Sequence, residues 1–330
     1  MRKAVAITLI ALFIATTGLW ASGSQEGGSE QITVGYTVQS MENDYFVSVV
    51  EGMTAEAEAL GVKLIVADAG ADAAKHIDQI NNFIAQQVDA IIISPVDQTA
   101  PENAVADAIE AGIPVVSLNQ EVSGSSAALL MQEYEYGYMG GIMAGEWLNQ
   151  KEADGTIDEI LNGDGEIEAA IVRYDTISSL IDRGDGLKDG ITETYTGDKA
   201  INFVFEQDGA DSAAGQRIAE TAFTAYPDIS IFSCINDSGA LGVFEAASAR
   251  GMDKSDLAIT GLDGLPQALR YIAQDTMFIG TVDSLPVQLG ADGLNLALEV
   301  IEEGEMNEPK IATMKNVTQE NIDEYSDVIE

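Results

Sequence analysis

Lys63-Leu64-Ile65-Val66-Ala67, Ala90-Ile91-Ile92-Ile93-Ser94 and Pro114-Val115-Val116-Ser117-Leu118 decide the fold. The middle run has no polar alternation, as in a strand covered on both faces. Between these runs the period changes. Ile77, Ile80 and Ile84 recur at helical spacing after the first, and 102–111 reads as a helix closed by Gly112 before the third. Upstream, Ile32 to Thr37 is a short strand. Phe46, Val47, Val50, Met53, Ala57 and Leu60 then form a helical stripe ended by Gly61. Strand and helix alternating in this way predict a parallel sheet with helices on both faces.

The rhythm pauses at Glu133-Tyr134-Glu135-Tyr136-Gly137 and restarts. Strands are expected at 169–174, 201–205, 229–235, 257–262 and 278–282. Helices are expected at 180–195, 212–226, 240–249 and 287–303. Gly140, Gly141 and Gly145 fall within a helical run and read as close packing. Gly70-Ala71-Asp72 and Gly209-Ala210-Asp211 occupy equivalent strand-to-helix turns, an echo consistent with two similar α/β modules. From the sequence alone one boundary falls near Tyr134.

The 330 residues begin with Arg2 and Lys3, an uncharged apolar run from Ala4 to Trp20, and the small residues of Ala21-Ser22-Gly23. That is the pattern of an export signal, residues 1–23, cleaved near 21–23, followed by a polar linker at 24–31. The expected location is outside the cytoplasm. No cysteine stands near the cleavage site, and Cys234 is the only one, so no internal disulfide can form. The formal charge is −40, and loss of Arg2 and Lys3 takes it to −42. Such a surface repels nucleic acid and keeps an exported chain soluble. Hydrophobic residues at 46% argue for a folded core despite that charge.

Open parallel sheets bind ligands beyond the carboxyl ends of their strands. There the sequence places Asn43, Asp44, Tyr45 and Phe46 after the first strand, and Asn119 and Gln120 after the fourth. Arg183 opens a helix of the second module, and Asn236, Asp263 and Asp283 end three of its strands. Amides, carboxylates and a guanidinium fork read hydroxyls, and two aromatic rings stack on the apolar face of a sugar. Asp and Asn at such positions also serve as helix caps and turn formers. At any one position that structural role competes with ligand contact.

Together these segments resemble periplasmic sugar-binding proteins of the ribose-binding type, the solute-binding component of sugar ABC transporters. The likeness rests on Asn43-Asp44-Tyr45-Phe46-Val47-Ser48, Pro114 to Asn119, Arg183-Gly184-Asp185-Gly186-Leu187, Pro227-Asp228-Ile229, Asn236-Asp237, Ala240-Leu241-Gly242 and Gly261-Leu262-Asp263-Gly264. It covers about Ile32 to Val317. It implies two doubly wound parallel-sheet lobes joined by a three-segment hinge near Glu133, Ser284 and Thr313. One lobe would comprise 32–133 plus 284–312, the other 134–283 plus 313–330. It also implies a sugar or polyol ligand between the lobes, an ABC permease as partner, and a chemoreceptor as a further partner. A sensory subunit presenting a sugar, cyclitol or furanosyl autoinducer to a membrane receptor is the alternative use of the same cleft. Gln120, Ala210 and Asp283 stand where ribose-type members usually carry arginine, an aromatic, and glutamine or asparagine, so another monosaccharide, a cyclitol or a polyol fits as well as ribose. The loop Asn162-Gly163-Asp164-Gly165-Glu166-Ile167-Glu168 is similar to part of a calcium loop of the glucose/galactose-binding branch. Ile160 breaks the alternation of oxygens, and a glycine-rich turn is the preferred reading.

No catalytic constellation is legible. His76 is the sole histidine and is read as a surface residue, while Cys234 lies in an apolar strand and is read as core. A histidine-based triad or metal cluster is poorly supplied. There is no phosphate-binding Gly-Lys-Ser/Thr loop and no Gly-x-Ser-x-Gly elbow. The expectation is a binding protein, not an enzyme, with no cofactor and no metal. An export segment and an acidic surface oppose a transcription regulator.

Overall fold

The structure is a computed structural model and describes residues 31–306 and 308–329. The expected export segment, residues 1–23, and most of the expected linker lie outside them. The first lobe starts with β1 (Thr33–Val38), α1 (Asp44–Leu60), β2 (Lys63–Asp68), α2 (Ala73–Gln86), β3 (Ala90–Ile93), α3 (Glu102–Glu110), β4 (Val115–Asn119) and β5 (Ala127–Leu130). The second contains α4 (Glu133–Asp154), β6 (Ile167–Arg173), α5 (Ser178–Thr194), β7 (Ile201–Asp208), α6 (Ser212–Ala225), β8 (Ile229–Cys234), α7 (Asp237–Ala249), β9 (Ala258–Asp263), α8 (Pro266–Ala273) and β10 (Phe278–Asp283). Then come α9 (Pro286–Glu303), β11 (Lys310–Ile311) and β12 (Lys315–Thr318).

One sheet runs β2-β1-β3-β4-β5-β11, and the other β7-β6-β8-β9-β10-β12. All pairings are parallel except β12 with β10. The two sheets therefore repeat one strand order, each reversing direction of winding beside its first strand, between β1 and β3 and between β6 and β8. That reversal opens a crevice at the carboxyl ends. The chain passes from one sheet to the other three times: between β5 and α4, between β10 and α9, and between β11 and β12. Helix α9 packs on α1, β3, β4 and β5, and β12 returns to pair with β10.

Local sequence explains the elements. Asn43 caps α1, its side chain accepting the Tyr45 N–H at 2.9 Å, and Gly61 closes it in the left-handed conformation. Asp72 caps α2 by accepting from the Ala74 and Lys75 N–H groups. Strand β3 is wholly buried along Ala90–Ile93. Small residues let α4 and α5 touch backbone to backbone. A Cβ on Gly137 or Gly141 would overlap the Arg183 or Leu187 carbonyl oxygen, and one on Gly186 would overlap that of Tyr134.

Some expectations need correction. His76 is not at the surface but buried, 1% exposed, on the face of α2 it shares with Ile80 and Phe83, while Ile77 and Ile84 are partly buried against the same core. Burial pushes its pKa down to about 4. Strand β5 precedes the stretch read as a pause and was not expected as an element, nor were α8 and β12, and α4 begins at Glu133 within that stretch. β7 continues to Asp208, three residues past its expected end. The loop at 162–168 is a hydrogen-bonded turn. Asn162 Oδ1 accepts from the Asp164 and Glu166 N–H groups, both at 3.0 Å, and Asn162 Nδ2 donates to Glu168 Oε1 at 3.1 Å. Among the described residues no group of three or more His, Cys, Asp or Glu could hold a metal ion. No helix among them is long and apolar enough to cross a membrane.

Candidate functional site

The carboxyl ends of the two sheets face each other across a cavity of about 460 Å³, a size suited to a small ligand. The lobes also touch where Ser178 Oγ donates to Gln98 Oε1 at 3.1 Å. Asn43, Asp44, Tyr45, Phe46, Asn119, Gln120, Arg183, Asn236 and Asp263 all line it. Asp283 does not. Its Oδ1 accepts the Leu285 N–H at 2.7 Å and its Oδ2 the Tyr325 hydroxyl at 2.9 Å. Both oxygens are thus taken up in securing the passage from β10 into α9, where Leu285 is left-handed at φ 51°. Asp283 thus holds a turn between β10 and α9 and stands off the cavity wall.

From the first lobe, the turn into α1 supplies Tyr45 and Phe46, both 7% exposed, with ring centroids 5.0 Å apart and planes at 76°. Asn119, at the end of β4, donates from Nδ2 to the Tyr45 hydroxyl. Its backbone is left-handed at φ 73°, which asparagine tolerates better than most residues. Burial, then the charge of Asp263, raises the Tyr45 pKa far above its ordinary value, so the phenol stays neutral. Gln120 Nε2 donates to Glu133 Oε1 at 3.1 Å.

From the second lobe, Asn236 caps α7 by accepting the Gly239 N–H at 2.9 Å and donates to the Ala210 carbonyl at 2.7 Å. Its capping role and its place on the cavity wall coexist. Asp263, at the end of β9, has φ 131°, a conformation that strains any residue with a Cβ. Its Oδ1 accepts the Tyr136 hydroxyl at 3.2 Å. Burial, and then the carboxylate of Asp237, holds the Asp263 carboxyl well above the usual range, against the pull of Arg183. Arg183 lies over the Tyr136 ring, 4.7 Å from its centroid. Burial opposes its charge most strongly, but Glu133, Tyr136 and Asp263 together outweigh it and keep the guanidinium cationic.

The pattern of unmet hydrogen bonds is chemically directed. Asn119 Oδ1, Gln120 Oε1 and Asp263 Oδ2 are buried and have no partner among the described residues. All three are acceptors on the cavity wall, and unpartnered buried acceptors of this kind suit a ligand rich in hydroxyl donors.

Tyr136, Asp208, Asp211, Tyr174 and Ser238 also line the cavity but were not singled out as ligand residues. Tyr136 was obscured because β5 was not recognised, which hid that α4 begins after a strand end. Asp211 was visible only as the last letter of the internal echo.

Two doubly wound lobes facing across a cleft with buried acceptors on its wall define the architecture of a two-lobed solute-binding protein. A family model described as periplasmic binding protein domain matches residues 34–306, and the chain belongs to that family. The ribose import binding protein RbsB of Bacillus subtilis (strain 168) is 28% identical over 326 residues, covering 97% of this chain and 100% of the relative. Among solved structures, an ABC transporter periplasmic solute-binding protein from Actinobacillus succinogenes 130z with bound D-allose shares the fold. Its TM-score is 0.76 at 24% identity, covering 89% of this chain and 100% of that one. The binding protein of the arabinose ABC transporter from Shewanella sp. ANA-3, bound to α- and β-L-arabinofuranose, is 26% identical with a TM-score of 0.75. It covers 90% of this chain and 95% of that one.

Proposed function

We propose that this chain is the extracytoplasmic solute-binding component of an ABC importer and holds a monosaccharide or related polyol between its lobes. The observation that carries this reading is the convergence of Asn119 Oδ1 and Gln120 Oε1 from one lobe and Asp263 Oδ2 from the other, buried acceptors without protein donors. A ligand donating hydroxyls to both sides favours the closed arrangement, since only contacts made across the cleft shift that equilibrium. Tyr45 and Phe46 supply an apolar face for a sugar ring. The relatives support the class: their names and bound ligands include ribose, allose and arabinofuranose. The protein acts by binding alone, without catalysis, and is exported by its N-terminal segment. Presentation of the bound ligand to a membrane receptor would use the same closed form.

The test is thermal unfolding in the presence of pentoses, hexoses, cyclitols and linear polyols. At 100 times its dissociation constant, a ligand of the native state adds about 2.7 kcal/mol, enough to raise the melting temperature by several degrees. A panel in which no member raises it at millimolar concentration would sink the sugar assignment.

A further inference from the structure

Glu133 stands where the chain first passes between the sheets, and its carboxylate serves both lobes. Oε1 accepts from Gln120 Nε2 at 3.1 Å. Oε2 accepts from Arg183 Nε at 2.7 Å and pairs with Arg183 Nη2 at 2.5 Å. Arg183 Nη1 donates to the Ile235 carbonyl at 3.0 Å. Glu133, Gln120 and Arg183 are each 8% exposed. A guanidinium has five N–H donors, so Arg183 keeps two for a ligand, while its charge is already met by a carboxylate.

Arg183 is the only Lys, Arg or His among the residues lining the cavity. With Glu133 cancelling it, the charge left in the wall is negative. Asp263 lies deep. Glu42 and Asp44 are exposed at the rim on one lobe, and Asp208 and Asp211 are exposed on the other. The orphaned polar atoms on the wall, Asn119 Oδ1, Gln120 Oε1 and Asp263 Oδ2, are acceptors. A ligand carboxylate or phosphate would bring negative charge and no donor to a wall that needs donors. In a site shielded from water that mismatch is poorly screened.

Resting on the sugar or polyol reading above, we propose that the cavity admits uncharged and amine-bearing polyols and excludes acid sugars, and that Glu133 sets this selectivity as a positioning residue acting through Arg183. Removal of the Glu133 charge frees the guanidinium fork, which matches carboxylate and phosphate geometry.

The test uses ring-matched probes on the mature chain: ribose with ribose 5-phosphate, glucose with glucuronate and glucosamine, galactose with galacturonate and galactosamine. The wild type is expected to bind the acid member of a pair at least 100-fold more weakly than the neutral member, and the amine member at least as well as the neutral one. Glu133→Gln is expected to narrow the acid-to-neutral gap by at least 10-fold, and Glu133→Asp to keep it. An acid sugar bound by the wild type within 10-fold of its neutral partner overturns the proposal. An amine sugar bound 10-fold more weakly than its neutral partner also overturns it. So does a Glu133→Gln variant that weakens both members alike, which would make Glu133 a structural residue only. Should Glu133→Gln fail to fold by circular dichroism, the double variant Glu133→Gln with Arg183→Met leaves the net charge unchanged. It must retain the 100-fold exclusion, and its loss overturns the charge argument. If no neutral or amine probe binds the wild type, and the wider panel of sugars, cyclitols and polyols also fails, the underlying reading of the site falls instead.

Discussion

The Tyr136 hydroxyl donates to Asp263 Oδ1 at 3.2 Å, joining the start of α4 to the end of β9 across 127 residues of sequence. The same hydroxyl lies 3.3 Å from the Val282 carbonyl, and the ring carries Arg183 on its face. Tyr136 thus orients both charged residues of the deep cavity. Tyr136→Phe keeps the ring and removes the bond. Loss of a buried hydrogen bond costs about 0.5–1.5 kcal/mol, so sugar affinity should fall about 2- to 10-fold by calorimetry while the fold is retained. An unchanged affinity would show that the Asp263 orientation is fixed by its backbone alone.

Asp263 also gives the binding reaction a proton signature. Its carboxyl is held above the usual range by burial and by Asp237. Ligand hydroxyls donating to the ionised form would lower that pKa, so binding should release protons and affinity should rise with pH. Calorimetric titration in buffers of different ionisation enthalpy measures this directly. Asp263→Asn should abolish the proton release, and proton uptake by the wild type would contradict the assignment.

Asp237 lies fully buried beneath the site, accepting from the Leu265 N–H and the Thr281 hydroxyl, both at 2.8 Å. Burial, with the charge of Asp283 adding to it, pushes its pKa up to about 7. Its folded-state value therefore lies above its unfolded value near 3.8. The native state holds this proton more tightly, and the associated stability is present below pH 4 and lost as pH rises toward 7. Asp237→Asn removes that loss, and its advantage over the wild type in denaturant unfolding should grow from pH 4 to pH 7. A constant difference across the window would contradict it.

His76 acts in the opposite direction. Its folded pKa is depressed to about 4 from 6.5, so its contribution is present above pH 6.5 and lost as pH falls toward 4. The shift corresponds to about 3 kcal/mol. His76→Leu also removes the buried Nε2, which has no partner among the described residues. The variant should lose less stability than the wild type between pH 6.5 and 4. Equal acid loss in both would show that His76 is accessible to protons in the native state.

Legibility of the fold followed the strength of local pattern. β3, wholly apolar, and the strands that end in Asn119 and Asp263 stood out because burial on both faces leaves no polar alternation. β5, only Ala127–Leu130, is too short and too plain to announce itself, and with it went the recognition of Tyr136. His76 was misplaced at the surface because a lone histidine beside Ile77, Ile80 and Ile84 carries no local mark of burial. For the candidate site, strand ends told where polar residues gather but not which oxygens are already committed. Nothing local distinguishes Asp263, with one free oxygen, from Asp283, whose two oxygens are taken by Leu285 and by Tyr325 from the chain terminus. Part of that difference depends on Tyr325, a tertiary partner 42 residues along the chain.

The central claim, capture of one neutral sugar or polyol between the lobes, is tested most directly by calorimetric titration of the mature chain with the panel, repeated for Asp263→Ala. The wild type should bind at least one member with a stoichiometry of one per chain. Asp263→Ala should bind none while unfolding near the wild-type temperature without ligand. Absence of binding across the panel at millimolar concentration, or an Asp263→Ala variant that binds as tightly as the wild type, would contradict the account.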